Sequence, residues 1–268
     1  MPDSVAPPAG DLVLSERRGG VAVLTFNRPD RLNAWNDALE NAYVTALDAA
    51  EDDPDVRAIV ITGAGRGFCA GADMDDLKKA GDSDELEKQP PPRAFPLSVR
   101  KPMIAAINGP AAGLGLVEAL YCDVRFATPA AKLTTAFVRR GLIAEYGISW
   151  LLPRIVGLSA ALDLLLSGRI VLGEEALRLG LVDRLSEPDT VVGDAVAYAQ
   201  DLAENCSPWS MATIKAQILA DLGRDFDAAV AAADELMIAS LSGHDVVEGV
   251  RSYLERRPPA FPSLLPRS

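Results

Sequence analysis

The chain has a single histidine, three cysteines, 6% aromatic residues and fewer basic than acidic side chains. Each shortage excludes something. A Ser-His-Asp triad or a histidine general base would have to use His244, which stands in Leu241-Ser-Gly-His-Asp245 and reads as part of a surface turn. Cys69, Cys122 and Cys206 are odd in number and show no CxxC spacing, so neither a disulfide scaffold nor a zinc site is expected. No metal is expected in the chemistry, and the thiols fit a reducing compartment. With 26 Lys and Arg against 38 Asp and Glu, the formal net charge is −12, which argues against a nucleic-acid surface. The first eleven residues hold two acids, several prolines and no apolar segment, and no apolar run is long enough to span a membrane. A soluble cytoplasmic protein is the expectation.

What is present is a large apolar fraction, 49% of 268 residues, enough for one large domain or a domain with an appendage. Leu12 to Phe26 reads as two strands joined at Gly19-Gly20, followed by the polar loop Asn27–Ala34. From Asn36, which reads as an N-cap, Leu39, Tyr43, Ala46, Leu47 and Ala50 recur at helical spacing. Val56–Thr62 is a strand of the buried type, and residues 102–107 form another. Residues 75–100 are acidic and then proline-rich at Pro90-Pro91-Pro92, a candidate mobile segment beside a site. Val124–Ala127 and Lys132–Val138 read as further strands, and 147–156, 160–166 and 174–179 as helices. From Val191 to Tyr253 the pattern is helical and alanine-rich, with Pro208 as punctuation, and a face of that kind suits a subunit interface.

Two of the strands run into glycine-rich turns. Gly63-Ala-Gly-Arg-Gly67 follows the first, and Gly109, Pro110, Gly113 and Gly115 crowd the second before a helix begins. Glycine permits backbone angles and close approaches that a Cβ forbids, and a helix start presents unpaired N–H groups. The first turn does not complete a dinucleotide fingerprint, because Phe68 occupies the last glycine position. If the two turns face each other, one N–H from each converges on a single oxygen, as in an oxyanion hole for an acyl carbonyl. Each such donor contributes roughly 3 to 4 kcal/mol of transition-state stabilisation.

Phe68-Cys-Ala-Gly-Ala-Asp73, Asn108-Gly109, Ala112-Gly-Leu-Gly115 and Cys122-Asp123 together resemble the enoyl-CoA hydratase/isomerase (crotonase) family. Asn27-Arg-Pro-Asp-Arg-Leu-Asn-Ala34, Leu151-Leu-Pro-Arg-Ile-Val-Gly157, Ser167-Gly-Arg169, Glu175-Ala176 and Gly180-Leu-Val-Asp183 add to the resemblance, which runs from about residue 12 to 257. It implies an α/β, crotonase-like spiral of ββα units with a C-terminal helical trimerisation region. Residues 1–200 would form the acyl-CoA-binding core, and 201–268 the oligomerising helices of a homotrimer or a dimer of trimers. It also implies an acyl-CoA thioester substrate, with coenzyme A as part of the substrate and no separate cofactor. By motif position the oxyanion donors are the N–H groups of Ala72 and Leu114, and Arg31, Ala34, Ala70, Asp73, Met74 and Gly113 line the acyl-CoA site. Asp75 stands where some relatives have a lysine, so one phosphate contact of the family is missing here.

The two glutamates of family hydratases align with Val117 and Phe137, which would instead make an apolar acyl pocket. Glu118, one step out of register, reads as a structural or interface glutamate, although helical geometry alone does not exclude it from the site. Glu145, in Gly141-Leu-Ile-Ala-Glu-Tyr-Gly147, resembles the catalytic acid of enoyl-CoA isomerases. A lone acid in apolar surroundings is expected to be partly buried, which raises a carboxyl pKa toward useful base strength. An N-terminal acid for the following helix is the plainer role, and the two are compatible. The expectation is double-bond isomerisation by a single Glu base. Hydration of a 2-enoyl-CoA and non-catalytic acyl-CoA binding are the alternatives.

Overall fold

The computed structural model describes residues 11–82 and 95–267. The prolines of the 75–100 stretch, Pro90–Pro92, lie outside the described residues. The central sheet has six strands in the order β1 (Val13–Arg18), β2 (Val21–Phe26), β3 (Ala58–Gly63), β4 (Met103–Ile107), β6 (Val124–Ala127) and β8 (Arg184–Leu185). Only β1 is antiparallel to its neighbour, turning at Gly19-Gly20 as expected; the other pairs are parallel. β3 and β4 are buried along their whole length, which is why both read as continuous apolar runs. β1 exposes everything but Val13, and its Ser15-Glu16-Arg17-Arg18 run blunts the sheet edge.

One face of the sheet is covered by α1 (Asp37–Asp52), capped by the Asn36 side chain on the Leu39 N–H. Leu39, Tyr43, Leu47 and Ala50 form its buried stripe. Phe26 sits at the centre of that packing, with the rings of Trp35, Tyr43 and Phe68 edge-on at 5.4, 5.1 and 5.5 Å. Four aromatic rings thus pack together between α1 and the sheet. The other face is covered by α7 (Val191–Asn205), whose Val191, Ala195, Ala199 and Ala203 recur every fourth residue against Val60, Ile104 and Phe126. Their small side chains let α7 lie close to the sheet. The boundary expected between residues 200 and 201 falls inside this helix.

Above the sheet, short extended pieces stack from one unit to the next. β5 (Ala111–Ala112) pairs with β7 (Leu133–Thr134), and single bridges join Trp35 to Ala72, Cys69 to Ala111 and Leu133 to Val171. This is the spiral of repeating strand–strand–helix units. β7 is shorter than the strand expected over 132–138, because Ala136 adopts φ +58° and Val138–Arg140 turns into a 3₁₀ helix. Around the spiral lie α2 (Met74–Asp82), α3 (Leu114–Leu120), α4 (Ile148–Val156), α5 (Leu158–Ser167) and α6 (Gly173–Arg178). The long helical run ends in α8 (Pro208–Asp221), α9 (Phe226–Leu241) and α10 (His244–Glu255). α9 buries none of its residues, and Ile218, Phe226, Ile238, Leu241 and Tyr253 are all more than half exposed. No helix among the described residues is long and apolar enough to cross a membrane.

Candidate active site

The site begins where β3 and β4 end. Asn108, directly after β4, donates through Nδ2 to the carbonyls of Gly63 (2.8 Å) and Gly65 (3.0 Å), tying the second glycine turn to the first. Asn33 ties the 27–34 loop to the same place. Its Nδ2 donates to the carbonyls of Ala64 (3.0 Å) and Gly67 (2.8 Å), and its Oδ1 accepts from the Arg28 N–H (2.8 Å). Asn33 is fully buried at φ +57°, a conformation asparagine tolerates better than most residues.

These ties bring two main-chain donors side by side. The Trp35 N–H donates to the Gly71 carbonyl and the Asp73 N–H to the Trp35 carbonyl, both at 2.8 Å, so the intervening Ala72 N–H points away from Trp35. Leu114 opens α3, where an N–H has no partner one turn back. Among the described residues neither N–H finds an acceptor. Glycine is required between them. A methyl group on Gly71, at φ +90°, would fall 2.6 Å from the Ala112 oxygen and 3.7 Å from the Leu114 nitrogen, and one on Gly115 would fall 2.2 Å from the Cys69 oxygen. The two segments therefore touch through their backbones, and the expected facing of the turns is realised.

Both donors open onto a cleft of about 340 Å³. Arg31, Ala34, Ala70, Asp73, Met74 and Leu77 line it from the first-turn side. Ala136, Phe137, Arg140, Leu142, Glu145 and Tyr146 line it from the segment after β7, with Gly113 and Leu114 between. Of the residues the sequence assigns to the acyl-CoA site, the oxyanion pair and the base, Val117 alone is missing from this lining. It is fully buried in the core cluster, one turn into α3 and behind the cleft wall. His244 is also elsewhere, exposed at the start of α10.

Two acids reach the cleft among the described residues. Asp73 is tied up by Arg28, 3.0 Å away, which also donates to the Ala34 carbonyl. Burial opposes ionisation of Asp73, but the Asp75 N–H and the Arg28 guanidinium outweigh it and hold the carboxyl below its usual value. Arg31, expected to face the nucleotide, pairs with Asp75 at 3.4 Å, both side chains being largely exposed. Arg140 donates to the Ala136 carbonyl at 3.2 Å.

Glu145 is the second acid, half-buried in the turn before α4. The backbone there is unusual, with Tyr146 at φ +55° and Gly147 at φ +72°. The Tyr121 hydroxyl donates to the Tyr146 carbonyl at 2.6 Å.

Glu118 is buried and absent from the lining. It faces the core between α1 and α3: burial, aided by its carboxylate, pushes the Tyr43 and Tyr121 phenols up. Burial likewise pushes the Cys69 thiol up to about 12, so that thiol stays protonated and unreactive. Tyr121, Ala136, Arg140, Leu142 and Tyr146 were not singled out from the sequence. Arg140 and Leu142 flank the quoted Gly141 and were within reach of it; a left-handed tyrosine or alanine leaves no mark in the sequence. Among the described residues no group of three or more His, Cys, Asp and Glu is placed to hold a metal ion.

A ββα spiral whose glycine turns set two idle N–H groups on one cleft has the crotonase-like fold. The chain belongs to the Enoyl-CoA hydratase/isomerase family, which it matches over residues 16–263. It is 34% identical over 258 residues to the 1,2-epoxyphenylacetyl-CoA isomerase of Escherichia coli K12, covering 94% of this chain and 98% of that one. The crystal structure of an enoyl-CoA hydratase from Polaromonas sp. JS666 superposes with a TM-score of 0.87 at 29% identity, covering 93% and 99% of the two chains. An enoyl-CoA hydratase from Mycobacterium marinum is 52% identical, with a TM-score of 0.69 over 80% of this chain and 100% of that one.

Proposed function

We propose that this enzyme of the enoyl-CoA hydratase/isomerase family shifts the double bond of an enoyl-CoA, with Glu145 as its base. The observation that carries the reading is the composition of the cleft. Two adjacent N–H donors, Ala72 and Leu114, share it with Glu145 and with an Asp73 committed to Arg28, while Glu118 stands behind the wall. In this reading the thioester oxygen accepts from Ala72 and Leu114. Glu145 removes a proton from C2 of a 3-enoyl-CoA, the electron pair delocalises into a dienolate, and the same carboxyl returns the proton at C4. The C3–C4 double bond becomes C2–C3, with no net gain or loss of atoms. The donors stabilise charge where it develops, and each is worth about 3 to 4 kcal/mol in the transition state.

Phe137, Leu142 and Ala136 supply an apolar acyl wall, which disfavours the ordered water that hydration needs. Arg31 would face the phosphates of coenzyme A, with Ala34, Ala70 and Met74 beside the pantetheine and no other cofactor. Behind the cleft wall, Val117 would shape the acyl pocket only indirectly. The exposed apolar faces of α8–α10 support covering by further copies of the chain, as a trimer or a dimer of trimers. The free thiols of Cys69, Cys122 and Cys206 suit a reducing cytoplasm.

Glu145→Gln tests the chemistry. Isomerisation of 3-hexenoyl-CoA is expected to fall by about 10²- to 10⁴-fold with acyl-CoA binding retained. Hydration of crotonyl-CoA by the wild type at a rate above isomerisation would favour the hydratase that several relatives are named for. Tight acyl-CoA binding without either reaction would leave a binding protein.

A further inference from the structure

The carbonyl of Tyr146 stands outside the helical ladder. With Tyr146 and Gly147 both left-handed, the first turn of α4 closes on Gly147, whose oxygen accepts from the N–H groups of Trp150 and Leu151, both at 3.0 Å. The Glu145 carbonyl accepts from Ile148 at 3.1 Å. The Tyr146 carbonyl is thereby turned toward α3, and a carbonyl off the ladder in a half-buried place needs a donor. The Tyr121 hydroxyl supplies one at 2.6 Å, from a side chain only 3% exposed.

Tyr121 is the C-cap residue of α3, and Leu114 is its first residue. The seven-residue helix, about 10 Å long, therefore carries an oxyanion donor at one end. At the other it carries the group that grips the turn next to Glu145. Backbone strain beside the base survives only where the surroundings impose it, since a non-glycine residue at positive φ costs about 1 to 3 kcal/mol. Ile148, fully buried, fixes the far side of the turn, and Tyr121 holds the near side.

We propose that Tyr121 is a positioning residue: through the Tyr146 carbonyl it fixes Glu145 relative to the donor at Leu114 on the same helix. This rests on the reading of Glu145 as the base. Proton transfer demands a nearly fixed distance between base and substrate carbon, and a displacement of an ångström costs about a hundredfold. Substrate binding, governed by the cleft walls and the loop at Arg31, does not use the Tyr121 hydroxyl.

The experiment pairs Tyr121→Phe with Glu145→Gln, using 3-hexenoyl-CoA as substrate and solvent-deuterium exchange at C2 as a direct readout of proton abstraction. Tyr121→Phe is expected to lower kcat and the exchange rate together by about 10- to 100-fold, with KM changed less than about twofold. A merely structural tyrosine would lower the melting temperature and leave kcat of the folded fraction alone, and that result overturns the proposal. If Tyr121→Phe yields no folded protein, Tyr146→Gly loosens the same turn with Tyr121 intact. Because Tyr146 also lines the cleft, the readout for this variant is kcat and C2 exchange at saturating substrate, both expected to fall by about 10- to 100-fold, and an unchanged kcat overturns the proposal. An active Glu145→Gln enzyme removes the base and the Tyr121 inference with it. A dead Glu145→Gln enzyme beside a fully active Tyr121→Phe one removes only the inference.

Discussion

The donors and the acid of the cleft are held by different means. Ala72 and Leu114 offer main-chain N–H groups, and the segments that carry them are laced by Asn33, Asn108 and the Trp35 bridge and pressed together at Gly71 and Gly115. Glu145 offers a side chain, half-buried, from a turn held by one phenol and two left-handed residues. The first half has no side chain to choose and no rotamer to lose, so its geometry follows from the fold. The second half can be re-equipped without disturbing the first, which fits a family whose members are named both hydratase and isomerase.

The sharpest way to break the comparison is to damage the backbone half. Gly71→Ala places a Cβ 2.6 Å from the Ala112 oxygen at a φ of +90°, so the two turns must part. We expect kcat to fall by about 10²- to 10³-fold, equivalent to losing one oxyanion donor. Strain should also lower the unfolding free energy by about 1 to 3 kcal/mol, read from urea melts. Near-wild-type turnover in a stable Gly71→Ala protein would mean that the two N–H groups do not act as a pair.

The same contrast explains what the sequence made legible. Glycines that permit a close approach are visible as letters, so Gly63-Ala-Gly-Arg-Gly67 and Gly109–Gly115 announced a two-turn site, and the buried strands announced themselves as apolar runs. The acid half was legible only in part. Glu145 is conspicuous in an apolar stretch, but the left-handed Tyr146 and Ala136 are imposed by tertiary contacts and have no local signal. Ala136 also cut short the strand expected over 132–138. Val117 and Glu118 show the limit of periodicity: one turn into α3 both residues face inward, and no spacing argument separates the cleft wall from the core behind it. The α7 stripe of Val191, Ala195, Ala199 and Ala203 was readable as helix, yet alanine spacing does not say which surface it meets.

A milder cut tests the lacing itself. Asn108→Ala removes the hydrogen bonds to the Gly63 and Gly65 carbonyls while leaving every atom of the cleft lining in place. The expected cost is about 1 to 3 kcal/mol of stability, with kcat reduced by about tenfold, the two turns being loosened rather than forced apart. A stability loss with kcat unchanged would show that the turns hold their register without the asparagine.

The smallest effect concerns Asp73, which shares the cleft with Glu145 but is committed to Arg28. Its carboxyl is held below its unfolded value, so its contribution to stability is fully present above about pH 3.9, the unfolded value. That contribution is lost as pH falls through the lower folded value. Asp73→Asn has no charge to lose and should remove this part of the acid dependence. At pH 7 the variant is expected to be less stable than wild type by about 1 kcal/mol, because the amide oxygen can still accept from Arg28 and only the charge-assisted part of the hydrogen bond is lost. The gap should close when urea melts are repeated near pH 2. Isomerisation, if Glu145 alone is the base, should retain most of its kcat in Asp73→Asn, with the change appearing in KM through the Arg28-to-Ala34 loop contact. A collapse of kcat would instead place Asp73 in the proton transfer and make the cleft a two-carboxylate site, the arrangement suited to adding water.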